Sequence, residues 1–397
     1  MSQPLRVAII ADYLEEEWPS MDLVADMLLE HVRREHADVV EATLIRPPMP
    51  RRLTRLPLPI ARAKASVLDR AAARQWDYPR TLRDVRGRFD VYHVVDHTYA
   101  HLVHALPAER CVVTCHDVDA FRSILQPEDE RRSPPFRWMS QRILDGLRKA
   151  AHVPCDSEAT RDALVNLAAL PPGRLSVIPN GSDTAGWPES EAMADLEAAR
   201  LIGPRHGGEL LHVGSTIARK RIDVLIDVFA AVRKDRPDAR LIRVGGPFTA
   251  DQRARARDLG VLDAIVVLPF VDRATLAAVY RRASLTLLPS EREGFGLPLV
   301  ESLAAGTPMV ASDIAVLREL GGDAVSYATL ADIEQWRHAI LALLAERDHS
   351  PERWRARKAA GVARAKEFSW SEYAARVAAV YCAVAGRPLP ARQAADV

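Results

Sequence analysis

Cysteine is scarce in this 397-residue chain, with four residues at positions 111, 115, 155 and 382. They have neither the density of a disulfide-built domain nor the paired CxxC spacing of a zinc site. A reducing, cytoplasmic setting is the expectation. Net charge is equally lacking, since 54 Lys and Arg stand against 53 Asp and Glu. No global field draws the protein to nucleic acid, and any electrostatic partner is met locally. No apolar run approaches the roughly 18 residues that span a bilayer. The first such run, Val7 to Ala11, is too short for a secretory signal. The 19 glycines never spell G-x-G-x-x-G or a P-loop, so redox-cofactor and P-loop readings both fall.

What is present is the composition of a soluble globular protein, 48% hydrophobic and 27% charged. The length is that of two or three domains at roughly 150 residues each. Short apolar, β-branched runs alternate with helical patterns, as in parallel sheets covered by helices on both faces. The first half has six runs: Leu5 to Ala11, Val39 to Ile45, Phe89 to Val95, Cys111 to Cys115, His152 to Cys155 and Leu175 to Pro179. After a Pro- and Gly-marked passage the second half has six more, near 209–214, 239–244, 264–268, 284–288, 308–311 and 324–327. Two doubly wound α/β domains of similar size follow. Ile222, Leu225, Ile226, Phe229 and Val232 recur at helical spacing, as do Tyr373, Val377, Val380 and Val384 before Gly386 and Pro388.

Three segments carry chemistry. From Ser290 to Pro308 a strand end runs through Glu293, Gly294, Phe295 and Gly296 into a helix with Pro298 in its first turn and Gly306 at its end. Glycine lets backbone amides approach a ligand, and a helix N-terminus favours an anion. Glu293 and Glu301 bring carboxylates suited to sugar and ribose hydroxyls, although singly each reads as a loop charge or a helix-dipole partner. In the second segment, His212 to Arg221, one glycine and three successive cations, Arg219, Lys220 and Arg221, lie between a strand and a helix, where α/β sheets bind phosphates. In the third, Cys111 to Asp117, His116 stands at the end of a buried strand, with Asp117 to orient its ring or cap the next turn. Asp96, His97 and Tyr99 also follow a strand end, and we place them on the acceptor side. No metal site is expected. Asp117-Val-Asp119 matches a metal-binding D-x-D by three residues only, and His93, His97 and His101 cannot share a helical face when His93 is in a strand.

Glu293 to Glu301, with Gly-Phe-Gly-Leu-Pro between them, resembles the E-x7-E motif of the family-4 retaining glycosyltransferases with the GT-B fold. The likeness extends over almost the whole chain and is weakest at residues 13 to 88. It implies two Rossmann-like domains facing across a cleft: an acceptor-binding domain over 1–185, a nucleotide-sugar domain over 186–370, and a helix and tail over 371–397 that pack back on the first. It implies that Glu301 holds the ribose and Glu293 the donor sugar, with Gly294, Phe295 and Gly296 lining that sugar. Arg219 and Lys220 would clamp the diphosphate, Phe270 and Leu297 would meet the nucleotide, and His116 would act on the donor sugar. The activity implied is retaining transfer of a hexose from a UDP- or GDP-sugar to a hydroxyl acceptor, with no cofactor and no metal. An epimerase or phosphorylase on the same fold, or a non-catalytic sugar-nucleotide binder, is the alternative.

Three departures from the family pattern stand out. Glycine is usual where Arg221 stands, and a further arginine where Ser215 stands. A glycine-rich turn is usual where this chain has Glu15, Glu16, Glu17, Trp18 and Met21; three carboxylates there would repel an anion. Separately, residues 46–88 hold twelve Arg or Lys against three Asp. The two readings are a solvated face, or a peripheral contact with anionic membrane helped by Leu53, Leu56, Leu58, Ile60 and Trp76.

Overall fold

The computed structural model describes residues 3–55, 62–182 and 187–388. The chain forms two compact units, Met1–Gly181 with Trp370–Val397, and Ser182–Ser369. Leu56, Leu58 and Ile60 of the basic stretch, and the tail beyond Pro388, lie outside the described residues.

In the first unit, β1 (Leu5–Ile10), β2 (Val40–Ile45), β3 (Val91–Val94) and β4 (Cys111–Val113) form a parallel sheet in the order β2-β1-β3-β4. β5 (Val153–Cys155) and β6 (Leu175–Val177) pair with each other, and isolated bridges at Val112–His152 and Cys115–Cys155 link the β4 and β5 segments. Alternation along β1 divides its side chains between two cores. Ala8 and Ile10 pack on one face and Val7 and Ile9 on the other, which is why the strand reads as a continuous apolar run. The second face is covered by the helices Pro19–Glu35 and Trp370–Val384. Tyr381 of the latter lies 2.6 Å from His93 Nδ1, while His93 Nε2 meets Thr114 Oγ1 at 2.7 Å. The cysteines are all free and buried. Burial raises the Cys111 thiol to about 12, so it is an apolar filler there rather than a nucleophile.

The second unit is one six-stranded parallel sheet of β7 (Gly208–Val213), β8 (Ala239–Val244), β9 (Ile265–Leu268), β10 (Leu285–Leu288), β11 (Met309–Ser312) and β12 (Ser326–Ala328). Its order is β12-β11-β10-β7-β8-β9. The chain steps outward from β7 to β9, then returns to place β10 on the other side of β7. The loops leaving β7 and β10 therefore part at the switch point, where open α/β sheets bind ligands. In the first unit the equivalent point lies between β1 and β3. The helix Ile222–Asp235 buries all five residues of its expected face.

Candidate active site

The loop after β7 begins at Gly214, and a Cβ on Gly245, after β8, would lie 2.0 Å from Gly214 O. Two glycines thus let neighbouring loops touch. The chain then makes a tight turn at Ala218–Lys220, and Arg221 takes left-handed angles, φ 48° and ψ 52°. This is the position where the family pattern has glycine. On the other side of the switch point, the loop after β10 ends at Gly296, φ 108°, which heads the helix Leu297–Ala304. A Cβ there would meet Leu317 Cδ2 at 3.0 Å, so the backbone angle favours glycine and a side chain would also press on Leu317.

These two loops are bound together. Glu291 N–H donates to Arg219 O at 2.8 Å, and Arg219 Nη1 donates to Arg292 O at 2.9 Å. Lys220 Nζ donates to both oxygens of Glu293, at 2.6 and 2.8 Å, and Arg219 Nη1 to Oε2 at 3.2 Å. The Glu293 side chain is 4% exposed, Lys220 11% and Arg219 21%, so Glu293 is no free loop charge. Burial alone would raise its carboxyl, but the charges of Lys220 and Arg219 outweigh burial and hold it below the usual value. The result is a fixed cluster of two cations and one anion, with net positive charge, beside a helix N-terminus.

Glu301, on the same helix, accepts from Tyr280 OH at 2.9 Å, and burial raises its carboxyl. The Phe295 ring is buried against Phe368, centroids 5.9 Å apart. Gly294 is buried and Leu297 half-buried. Phe270 follows β9 and is 78% exposed, a large apolar ring presented to solvent.

In the first unit His116 is 5% exposed. Its Nδ1 lies 3.1 Å from Asp156 Oδ2 and its Nε2 2.8 Å from Val95 O. Burial lowers its pKa, but Asp156, Asp96 and the Val95 carbonyl prevail and bring it to about 9. The ring is thus an imidazolium with both N–H groups engaged. Asp117 is not its orienting partner: that carboxylate caps the next turn, accepting Asp119 N–H at 2.9 Å, and faces His97 Nε2 at 3.3 Å. Sequence reasoning missed Asp156, whose only signal was its place before the helix-capping Ser157 at the end of β5. Asn180 Nδ2 also reaches Asp156, at 3.3 Å.

Asp12 follows β1 and is buried; burial and Asp96, which follows β3, push its carboxyl well above the usual value. Tyr99 is buried, with its ring 4.1 Å from the Arg74 guanidinium carbon, so it packs inward rather than facing an acceptor. The run of three glutamates is less repulsive than its sequence suggests. Glu15 accepts Met49 N–H at 3.1 Å, and the Glu16 side chain, 1% exposed, lies 3.6 Å from Arg74 and 3.9 Å from Arg70. The basic stretch is likewise partly neutralised: Arg46 pairs with Asp22 and Asp26, and Arg52 with Asp77. Among the described residues, no three His, Cys, Asp or Glu side chains gather so as to hold a metal ion. His101 Nε2 is instead 2.7 Å from Arg74 O.

Solved structures with this architecture include sucrose-phosphate synthase from Thermosynechococcus elongatus, with TM-score 0.72 and 19% identity over 96% of this chain and 99% of that one. Anabaena HepE in complex with UDP and glucose has TM-score 0.68 and 16% identity, covering 95% and 99%. The protein has the GT-B fold, and it is a glycosyltransferase. Residues 21–185 match the family described as Glycosyltransferase Family 4, and residues 205–360 that described as Glycosyl transferases group 1. The D-inositol 3-phosphate glycosyltransferase of Streptosporangium roseum is 32% identical over 316 residues, 74% of this chain and 69% of the relative. That of Thermobispora bispora is 31% identical over 313 residues, 74% and 71%. The chain therefore belongs to the family-4 glycosyltransferases. Relatives of this name are matched over as little as 53% of their own length. Among the described residues no helix is long and apolar enough to cross a membrane.

Proposed function

We propose that the protein moves a hexose from a UDP- or GDP-sugar to a hydroxyl of its acceptor, with retention of configuration and without a metal ion. The observation that carries this reading is the junction of Arg219, Lys220 and Glu293 at the switch point of the second sheet. When the bond from the sugar to the diphosphate breaks, negative charge collects on the leaving phosphate oxygens, and two cations already fixed by Glu293 need no reorganisation to meet it. The N–H groups of the helix headed by Gly296 add to that field. Loss of one such donor costs about 3 kcal/mol of barrier, or roughly 100-fold in rate. Glu301 holds the ribose hydroxyls, with Tyr280 fixing its carboxylate. His116, doubly hydrogen-bonded, acts as a fixed positive charge rather than as a proton acceptor. The proton of the acceptor hydroxyl passes to the leaving phosphate. Retention is supported by family membership. HepE, crystallised with UDP and glucose, makes UDP-glucose the first donor to try, and the relatives' name makes inositol 3-phosphate the first acceptor.

The test is thermal stabilisation by UDP, GDP, ADP and dTDP in EDTA, for the wild type and Glu301→Ala. A ligand at about 100 times its dissociation constant adds roughly 2.7 kcal/mol. One base should stabilise the wild type and not the variant. No shift with any of them, or a shift that needs a divalent metal, refutes the reading. A peripheral contact of a cytoplasmic enzyme with anionic lipid through 46–88 is a subsidiary proposal. It is supported by the exposure of Val67, Leu68 and Trp76, and its test is vesicle co-sedimentation weakened by Trp76→Ala.

A further inference from the structure

The opposite end of the second sheet carries a cavity of about 390 Å³. Gly207, Ser284 and Pro308, which line it, precede β7, β10 and β11, so it opens at the amino ends of strands whose carboxyl ends carry Lys220 and Glu293. Its walls bring together five cations: Arg205, Arg281, Arg282, Arg347 and Lys358, with the Trp354 ring beside them. They come from four places in the chain. Arg205 lies in the segment before β7, Arg281 and Arg282 end one helix, Arg347 is in the last turn of a second, and Lys358 is in a third.

Three of the five have acidic partners. Arg282 makes two bonds to Glu209, at 2.9 and 2.7 Å. Arg281 meets Asp195 at 2.6 Å, and Arg347 meets Asp348 at 2.7 Å, an acid it shares with Arg236. Arg205 and Lys358 are exposed and make no ion pair among the described residues. Two positive charges are therefore unbalanced at one concave surface, where a doubly negative oxyanion would offset their mutual repulsion and accept from guanidinium forks. A second cavity of about 500 Å³ shares Arg205, Arg281 and Arg282, so there is room for a ligand larger than the anion alone. Trp354 supplies a flat apolar surface for its carbon skeleton.

We propose that this cavity is an anion site for a phosphate dianion, free or carried as a phosphomonoester of a small hydroxyl-rich molecule. It is separate from the loops that carry Arg219 and Glu293, and it does not depend on the reading of the donor site given above.

Inorganic phosphate and a sugar phosphomonoester are titrated calorimetrically into the full chain at constant ionic strength. The proteins are the wild type, Arg205→Gln with Lys358→Gln, and Arg219→Gln. Saturable phosphate binding is expected in the wild type and in Arg219→Gln, weakened about tenfold or more in the double variant. That variant should melt as the wild type does, because both its side chains are exposed. Equal affinities for the two probes would identify the phosphate group alone as the ligand. A tighter sugar phosphate that loses its advantage in Trp354→Ala would identify the phosphomonoester. Phosphate binding that survives undiminished in the double variant, disappears in Arg219→Gln, or is absent from the wild type at millimolar concentrations overturns the proposal.

Discussion

Replacing Lys220 by alanine strips Glu293 of the closer of its two counter-charges. The ammonium lies 2.6 and 2.8 Å from the carboxylate oxygens, and the two side chains are 11% and 4% exposed, so neither is screened as a surface pair would be. Two unit charges at about 4 Å interact by about 4 kcal/mol at an effective dielectric of 20. Removing one member of a buried pair typically costs about 3–5 kcal/mol, since the other charge stays behind desolvated. Arg219 remains at 3.2 Å but is more exposed, which brings the expected loss to about 3 kcal/mol. Adding Glu293→Gln removes the stranded charge, so the double variant should cost less than the sum of the singles by about 2 kcal/mol. Urea denaturation with unchanged m-values measures the cycle. The acid limb gives a second reading. Because the Glu293 carboxyl sits below its ordinary 4.5, its contribution is present above that pH and is lost as pH falls through the folded value. In Lys220→Ala this acid-side loss should shrink, as burial then faces Arg219 alone. A cost under about 0.5 kcal/mol, or strict additivity, would refute the claim that this pair holds the two loops together.

Arg221→Gly should stabilise by about 1 kcal/mol. It relieves a left-handed non-glycine residue worth about 1–2 kcal/mol and gives up a partly exposed pair with Asp223 worth about 0.5 kcal/mol; a lowered melting temperature would contradict this. Gly296→Ala should destabilise by about 1–3 kcal/mol through its angle and its contact with Leu317, and should abolish stabilisation by nucleotide; retained nucleotide binding would show that the helix N-terminus is not used. For His116, the folded pKa of about 9 lies above the ordinary 6.5. Its contribution is therefore full below pH 6.5 and lost on rising through about 9. Melting temperature should decline across that window and the decline should flatten in Asp156→Asn; a wild-type profile already flat there would remove the imidazolium.

Much of the fold was legible because strands buried on both faces write themselves as short apolar runs, and all twelve expected strands form. Their ends were less so. The run Cys111 to Cys115 stops as a strand at Val113, because Cys115 leaves the main sheet to bridge Cys155 of β5. At the candidate site, Glu293, Arg219 and Lys220 were singled out by their place after strands together with the likeness to the family motif, but the fact that they bind one another was not legible. That needs the strand order, which puts β7 beside β10 although more than seventy residues separate their loops. Asp156 was hidden for the same reason: β4 and β5 become neighbours only in space. The three glutamates misled because sequence counts charges without their partners, and the partners of Glu16, Arg70 and Arg74, lie far along the chain.

The first unit is closed by two segments that lie far apart in the chain. Trp370, Tyr373 and Tyr381 complete the core that Val7, Ile9 and Val24 begin, and Arg387 donates to Gln3 O at 2.6 Å. During synthesis the ribosome delivers β1 before the second unit and the helix Trp370–Val384 only after it. The second unit, contiguous in sequence, can fold while still tethered; the first must wait with one apolar face uncovered. The second unit is thereby free to mature before the first. A premature stop before Trp370 would injure the unit whose synthesis began before the other's.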